Sequence, residues 1–172
     1  MEGENVVLFV LANTDFKDEE YLDTKAVLDE AGFSSKVAAA SNEDCKGARG
    51  ATVSVDYTFD EVNLSEFLAI IFIGGTGAEK YIHNTGAHAL AKAFLDAGKI
   101  VAAICWAPAI LANAGILKDK EATVWEGAKE DLITNGAHYT AETVTVDGNI
   151  ITADGPDAAT EFGNAIAVAL AA

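Results

Sequence analysis

The sequence predicts an α/β fold: one domain with a mainly parallel sheet, helices on both faces as in a flavodoxin-like sandwich, and a small hairpin excursion. Three observations predict it. Apolar runs of strand length recur without polar alternation, as in strands buried on both faces. Segments of helical periodicity stand between them. Glycines punctuate the ends of both kinds of segment. The 172 residues suit a single domain, 1–172, with a core large enough to need neither disulfide nor metal.

The first strand is Asn5 to Leu11, NVVLFVL. Asp18-Glu19-Glu20 then opens a helix, its acidic residues in the first turn where the helix dipole favours them. That helix reaches about Ala31, places Tyr21, Thr24, Leu28 and Ala31 on one face, and stops at Gly32. Lys36 to Ala40 reads as the second strand. Residues 41–64 hold polar turns, Gly47, Gly50 and an alternating stretch from Thr52 to Val55, and are expected to form the hairpin excursion. Leu68 to Ile73 is the third apolar strand, closed by Gly74-Gly75. Ala87, Leu90, Ala91 and Phe94 mark the buried face of the next helix, which Gly98 ends. Ile100 to Ile104 is the fourth strand, followed by a helix from about Pro108 to Ala114. Thr143 to Val146 and Ile150-Ile151 flank the turn dipeptide Asp147-Gly148. A last helix starts near Pro156 and buries Phe162, Ala165, Ile166 and Ala169.

Composition excludes several partners. The net charge of −16 leaves nothing to neutralise nucleic-acid phosphates or an anionic membrane. No apolar run approaches the ~18 residues of a membrane span. The N-terminus, Met1-Glu2-Gly3-Glu4, is acidic where a secretory signal would be basic. A cytoplasmic location is expected. Two cysteines, Cys45 and Cys105, are too few for a disulfide scaffold and lack zinc spacing, so no metal is expected. Cys45 sits in the polar stretch SNEDCKGARG and reads as exposed, without a role.

In a parallel sheet, sites form beyond the carboxyl ends of the strands. Three features converge there: the acidic segment after the first strand, Gly74-Gly75 after the third, and Cys105 after the fourth. Cys105 stands between KIVAAI and WAPAILANAG, a strand-to-helix elbow that projects a nucleophile above the sheet. The helix behind it is expected to lower the thiol pKa. The same placement also fits a buried small hydrophobe. A backbone N–H in Gly74-Gly75, with that of Trp106, would form an oxyanion hole, and the same glycines also fit an ordinary tight turn.

The strings AICWAPAILANAGILKDKEAT, IGGTGAEKY, LANTDFKDEEYL and GAHYTAETVTVDGNIITADGP resemble, in order, the segments of the ThiJ/PfpI superfamily. The resemblance runs over nearly the whole chain and implies a fold akin to class I glutamine amidotransferase domains. It makes Cys105 the elbow nucleophile, Glu20 the glutamate that hydrogen-bonds it, Gly75 and Trp106 the backbone donors, and Glu79 an acid lent across a subunit interface. It also implies a homodimer or larger assembly. The sequence departs from the peptidase branch by carrying Trp106 where that branch has histidine. His83, His88 and His138 lie elsewhere; His83 reads as a surface residue and His138 as structural. Amide hydrolysis needs a base and an acid that tryptophan cannot supply. The resemblance therefore implies a glyoxalase- or deglycase-like activity on small reactive carbonyls, such as methylglyoxal to lactate, without a cofactor. An oxidative-stress sensor or chaperone working through Cys105 oxidation is the alternative, and a cysteine peptidase the third reading.

Overall fold

Hydrophobic side chains fill both faces of the central strands in the computed structural model, which describes residues 5–172. Met1 to Glu4, the acidic stretch that argued against a secretory signal, lie outside the described residues. Strand β1 (Val6–Val10) leads into a short strand β2 (Thr14–Phe16) and then α1 (Asp18–Glu30). Helix α1 turns Asp18, Glu20, Tyr21, Thr24 and Leu28 inward. Ala31, expected on that face, is instead the exposed C-terminal cap, because the helix ends one residue earlier.

Strand β3 (Ser34–Ala39) lies parallel to β1. The excursion is more than a hairpin. Strands β4 (Cys45–Gly47) and β5 (Thr52–Val53) pair antiparallel, and β2 joins β4 to complete a separate three-stranded sheet. Strand β6 (Tyr57–Thr58) returns to the edge of the main sheet beside β3. Strand β7 (Ala69–Phe72), helix α2 (Thr85–Asp96), strand β8 (Ile100–Ile104) and helix α3 (Pro108–Asn113) follow as the sequence predicts. The Asn84 side chain caps α2 by accepting from the Ala87 N–H at 2.9 Å.

Residues 116–140, which carry no legible periodicity, form strand β9 (Glu121–Ala122), helix α4 (Lys129–Thr134) and strand β10 (His138–Tyr139). Strand β11 (Val144–Asp147) turns at Gly148 into β12 (Ile150–Ala153), and α5 (Ala159–Ala171) closes the chain after a single 3-10 turn at Pro156–Ala158.

The main sheet has the order β11-β12-β8-β7-β1-β3-β6, parallel throughout except for β11. Every residue of β7, β8 and β12 is buried. Each fully buried Phe or Ile side chain contributes about 1.5–3 kcal/mol. From β1 the chain moves one way to β3, and from β7 the other way to β8. Right-handed crossovers in opposite directions put their helices on opposite faces. Helix α1 packs on α5, and α2 on α3. The two directions part at β1 and β7, and a crevice opens beyond the carboxyl ends of these strands. No helix among the described residues is long and apolar enough to cross a membrane.

Candidate functional site

Cys105 follows the last residue of β8 and has φ of 63°, in the left-handed region that side chains disfavour. Such a conformation costs roughly 1–3 kcal/mol and persists only when its surroundings impose it. Here the backbone is held on both sides. The Cys105 N–H donates to the Ala153 carbonyl at 2.9 Å, and the Cys105 carbonyl accepts from the Trp125 N–H at 2.8 Å. The turn directs the side chain into the crevice beside β7.

Gly74 and Gly75 make the space it enters. A Cβ on Gly74 would lie 2.8 Å from Glu20 Oε1 and 2.9 Å from the Cys105 Cβ. Gly75 has φ of 100°, and a Cβ there would meet the Asp15 carbonyl and the Lys17 nitrogen at 2.6 Å. The Lys17 N–H donates to the Gly74 carbonyl at 3.0 Å, which ties the segment after β1 to the glycine turn. Two glycines are thus needed for three segments to meet at the sulfur.

Glu20 is fully buried on the inner face of α1. Its Oε1 accepts from the Gly74 N–H at 3.0 Å. Its Oε2 is buried with no hydrogen-bond partner of ordinary geometry. Burial pushes the Glu20 carboxyl up to about 8, against the Cys105 thiol and the Gly74 N–H, which pull it down. With its pKa at about 8 the carboxyl keeps its proton at neutral pH, and its side chain hydrogen-bonds that of Cys105.

The Cys105 thiol departs from the sequence expectation. Burial pushes it up to about 12, reinforced by the charge and hydrogen bonding of an ionised Glu20. The backbone N–H groups of Trp106 and Gly75 pull in the other direction. Helix α3 begins only at Pro108, so little dipole bears on the sulfur. A protonated Glu20 removes the repelling charge and leaves burial opposed by the two N–H donors. The pair therefore titrates as a unit, and the state with one ionised member is carboxyl plus thiolate or carboxylate plus thiol.

A cavity of about 300 Å3 opens on the sulfur. Gly75, Thr76, Cys105 and Trp106 line it from the strand ends, with Asp15 and Lys17 from the segment after β1. Ala48, Trp125 and Pro156 complete it. Ala48 is placed by Asp18, whose buried carboxylate accepts from the Arg49 and Ala51 N–H groups at 2.9 Å each. A larger, almost wholly apolar depression of about 470 Å3 lies between β11 and α5. Its lining holds the exposed Glu161 but no cysteine, so the thiol chemistry belongs to the smaller cavity.

The structure thus brings Cys105, Glu20, Gly75 and Trp106 together. It does not bring Glu79, His83 or His138 to them: all three are exposed and none lines the cavity. Cys45 requires a correction. It is fully buried, its sulfur 4.0 Å from the Leu11 carbonyl and 3.9 Å from Asn13 Nδ2. The β2–β4 pairing draws it beneath the small sheet despite its polar neighbours in sequence, and burial pushes its thiol up to about 11. Sequence reasoning missed Trp125, Ala48 and Pro156. A tryptophan two residues before Gly127, in a stretch without periodicity, was the one available signal for the first.

The sequence profile of the DJ-1/PfpI family matches residues 5–169. The chain belongs to the DJ-1/PfpI family. A protein named deglycase from Pyrococcus horikoshii is 37% identical over 150 residues, spanning 87% of this chain and 90% of its own. An uncharacterised Methanocaldococcus jannaschii protein is 42% identical over 160 residues, spanning 91% and 78%. The crystal structure of a ThiJ/PfpI domain protein from Brachyspira murdochii superposes with a TM-score of 0.95 at 35% identity, covering 97% of this chain and 96% of that one. For a DJ-1/PfpI member, the elbow cysteine, the buried glutamate and the glycine turn form one connected site in this chain.

Proposed function

We propose that this chain detoxifies small reactive carbonyls, converting methylglyoxal to lactate through Cys105 and Glu20. One observation carries the reading: a fully buried Glu20, one oxygen of which has no partner, beside a Cys105 held in a left-handed elbow, and burial favours the protonated carboxyl. The thiolate attacks the aldehyde carbon, and the Glu20 O–H gives its proton to the carbonyl oxygen, leaving a hemithioacetal and a Glu20 carboxylate. The N–H groups of Gly75 and Trp106 stabilise the oxyanion as it forms. The Glu20 carboxylate then takes the proton from that carbon and delivers it to the neighbouring carbon, while the hydroxyl proton passes from the first oxygen to the keto oxygen. The first carbon is oxidised and the second reduced, so no outside redox partner enters. The product is a thioester on Cys105, which water cleaves to lactate and free thiol. The relative named deglycase supports carbonyl chemistry in close kin. The acting species is taken to be a homodimer or larger, with exposed Glu79 available to a partner subunit.

A sensor reading draws on the same donors. Two equivalents of peroxide would carry the thiolate through a sulfenate to a sulfinate, releasing two waters, and the N–H groups and the Glu20 O–H would bind the added oxygens. The site disfavours a peptidase: Trp106 is neither acid nor base, and no histidine lines the cavity.

The test is lactate formation from methylglyoxal by the purified protein. Cys105→Ser is expected to abolish it. Glu20→Gln is expected to reduce it by roughly 100-fold, the usual worth of acid–base help. Lactate production that survives Cys105→Ser would remove the mechanism.

A further inference from the structure

Trp125 is an oddity on this surface. Its indole is 44% exposed, although a ring that large is normally covered unless it serves contact. It stands 5.4 Å from the Trp106 ring, tilted by 58°, and both indoles line the cavity that contains Cys105. Its position is fixed rather than incidental. The Trp125 N–H donates to the Cys105 carbonyl, so indole and nucleophile share one backbone link. A Cβ at Gly127 would run into the Trp125 ring, so glycine there leaves room for the indole to lie where it does.

The cavity of about 300 Å3 is far larger than a three-carbon dicarbonyl fills, and its spare wall is aromatic. We propose that Trp125 is a specificity-determining residue that, with Trp106, forms an aromatic slot selecting α-oxoaldehydes that bear a planar aromatic group over small aliphatic ones. The proposal rests on the carbonyl-detoxifying reading of the site. With the aldehyde at Cys105, a planar substituent on the adjacent keto carbon extends along the indoles, gaining edge or offset contact as well as burial. The reaction balances as before: an arylglyoxal and water give an aryl hydroxy acid, with the proton moving between adjacent carbons.

The experiment compares phenylglyoxal with methylglyoxal as substrates, and iodoacetanilide with iodoacetamide as Cys105 alkylators, in wild type, Trp125→Ala, Trp125→Phe and Gly127→Ala. The quantity read is the aromatic-to-aliphatic ratio of kcat/KM, or of alkylation rate. An aromatic contact of ordinary strength makes the ratio fall about tenfold in Trp125→Ala, with Trp125→Phe retaining most of it. Gly127→Ala, which displaces the indole while keeping it, is expected to lower the ratio too. A ratio unchanged in Trp125→Ala, or lowered equally in Trp125→Phe, overturns the slot. If wild type forms neither hydroxy acid, the carbonyl reading fails and the alkylation ratio alone decides the slot.

Discussion

Glu20 carries the site's electrostatics, and its cost to the fold is measurable. Its carboxyl is held up at about 8 by burial, against an ordinary 4.5. The folded state therefore keeps a proton that the unfolded chain loses from about pH 4.5 upward. Unfolding releases that proton across this window, so stability falls as pH rises through it and levels off above about 8. The whole window is worth at most about 5 kcal/mol, at about 1.4 kcal/mol per pH unit. Glu20→Gln should flatten this slope and be more stable than wild type in mildly alkaline buffer, as urea unfolding across pH would read. It should also let the Cys105 thiolate form at lower pH, because no carboxylate then opposes it; thiolate ultraviolet absorbance against pH would show the shift. A thiolate that forms at higher pH in Glu20→Gln would mean that the carboxylate stabilises the sulfur instead. Local sequence does not single out Glu20 from Asp18 and Glu19; family resemblance pointed to it. The helical period carried the same information, since Glu20, Thr24 and Leu28 recur at four-residue spacing on the buried face of α1.

At the scale of elements, the site depends on how the small sheet is fastened to α1. Asp18 accepts from two N–H groups of the loop that presents Ala48, and Gly47 leaves space for the carboxylate. Burial alone would raise the Asp18 carboxyl, but these donors outweigh it and hold it below its ordinary value. Its contribution is thus present above the ordinary carboxylate range and is lost as pH falls. Asp18→Ala leaves both N–H groups without their acceptor, and should cost roughly 2–4 kcal/mol in a denaturant titration. It should also raise KM more than it lowers kcat, since Ala48 touches the cavity and not the sulfur. A variant as stable as wild type would show that the loop holds itself. The apolar strands β1, β7, β8 and β12 were legible because burial on both faces leaves an unbroken hydrophobic string. In the small sheet the β4–β5 hairpin was legible but the addition of β2 was not, because β2 has only three residues, two of them the polar Thr14 and Asp15, and its partner β4 comes from the far side of α1. Pairing across that distance buries Cys45, which its own neighbours mark as a surface residue.

Across the whole molecule, the topology delivers what the sequence motifs only suggest. Strand order reverses at β1 and β7, so the segment after β1, the glycine turn after β7 and the elbow after β8 meet in one crevice. The order of the strings along the chain pointed to these three segments. Trp125 and Pro156 reach the crevice from the C-terminal half, where strands are short and periodicity is weak. In the proposed reaction one sulfur, Cys105, forms and releases the covalent bond to the carbonyl substrate. Intact-mass measurement of protein quenched during methylglyoxal turnover, followed by peptide mapping, tests it most directly. The expected result is one methylglyoxal added at Cys105, disappearing as lactate accumulates and absent in Cys105→Ser. Adducts confined to lysine and arginine side chains, with Cys105 unmodified while lactate forms, would contradict it.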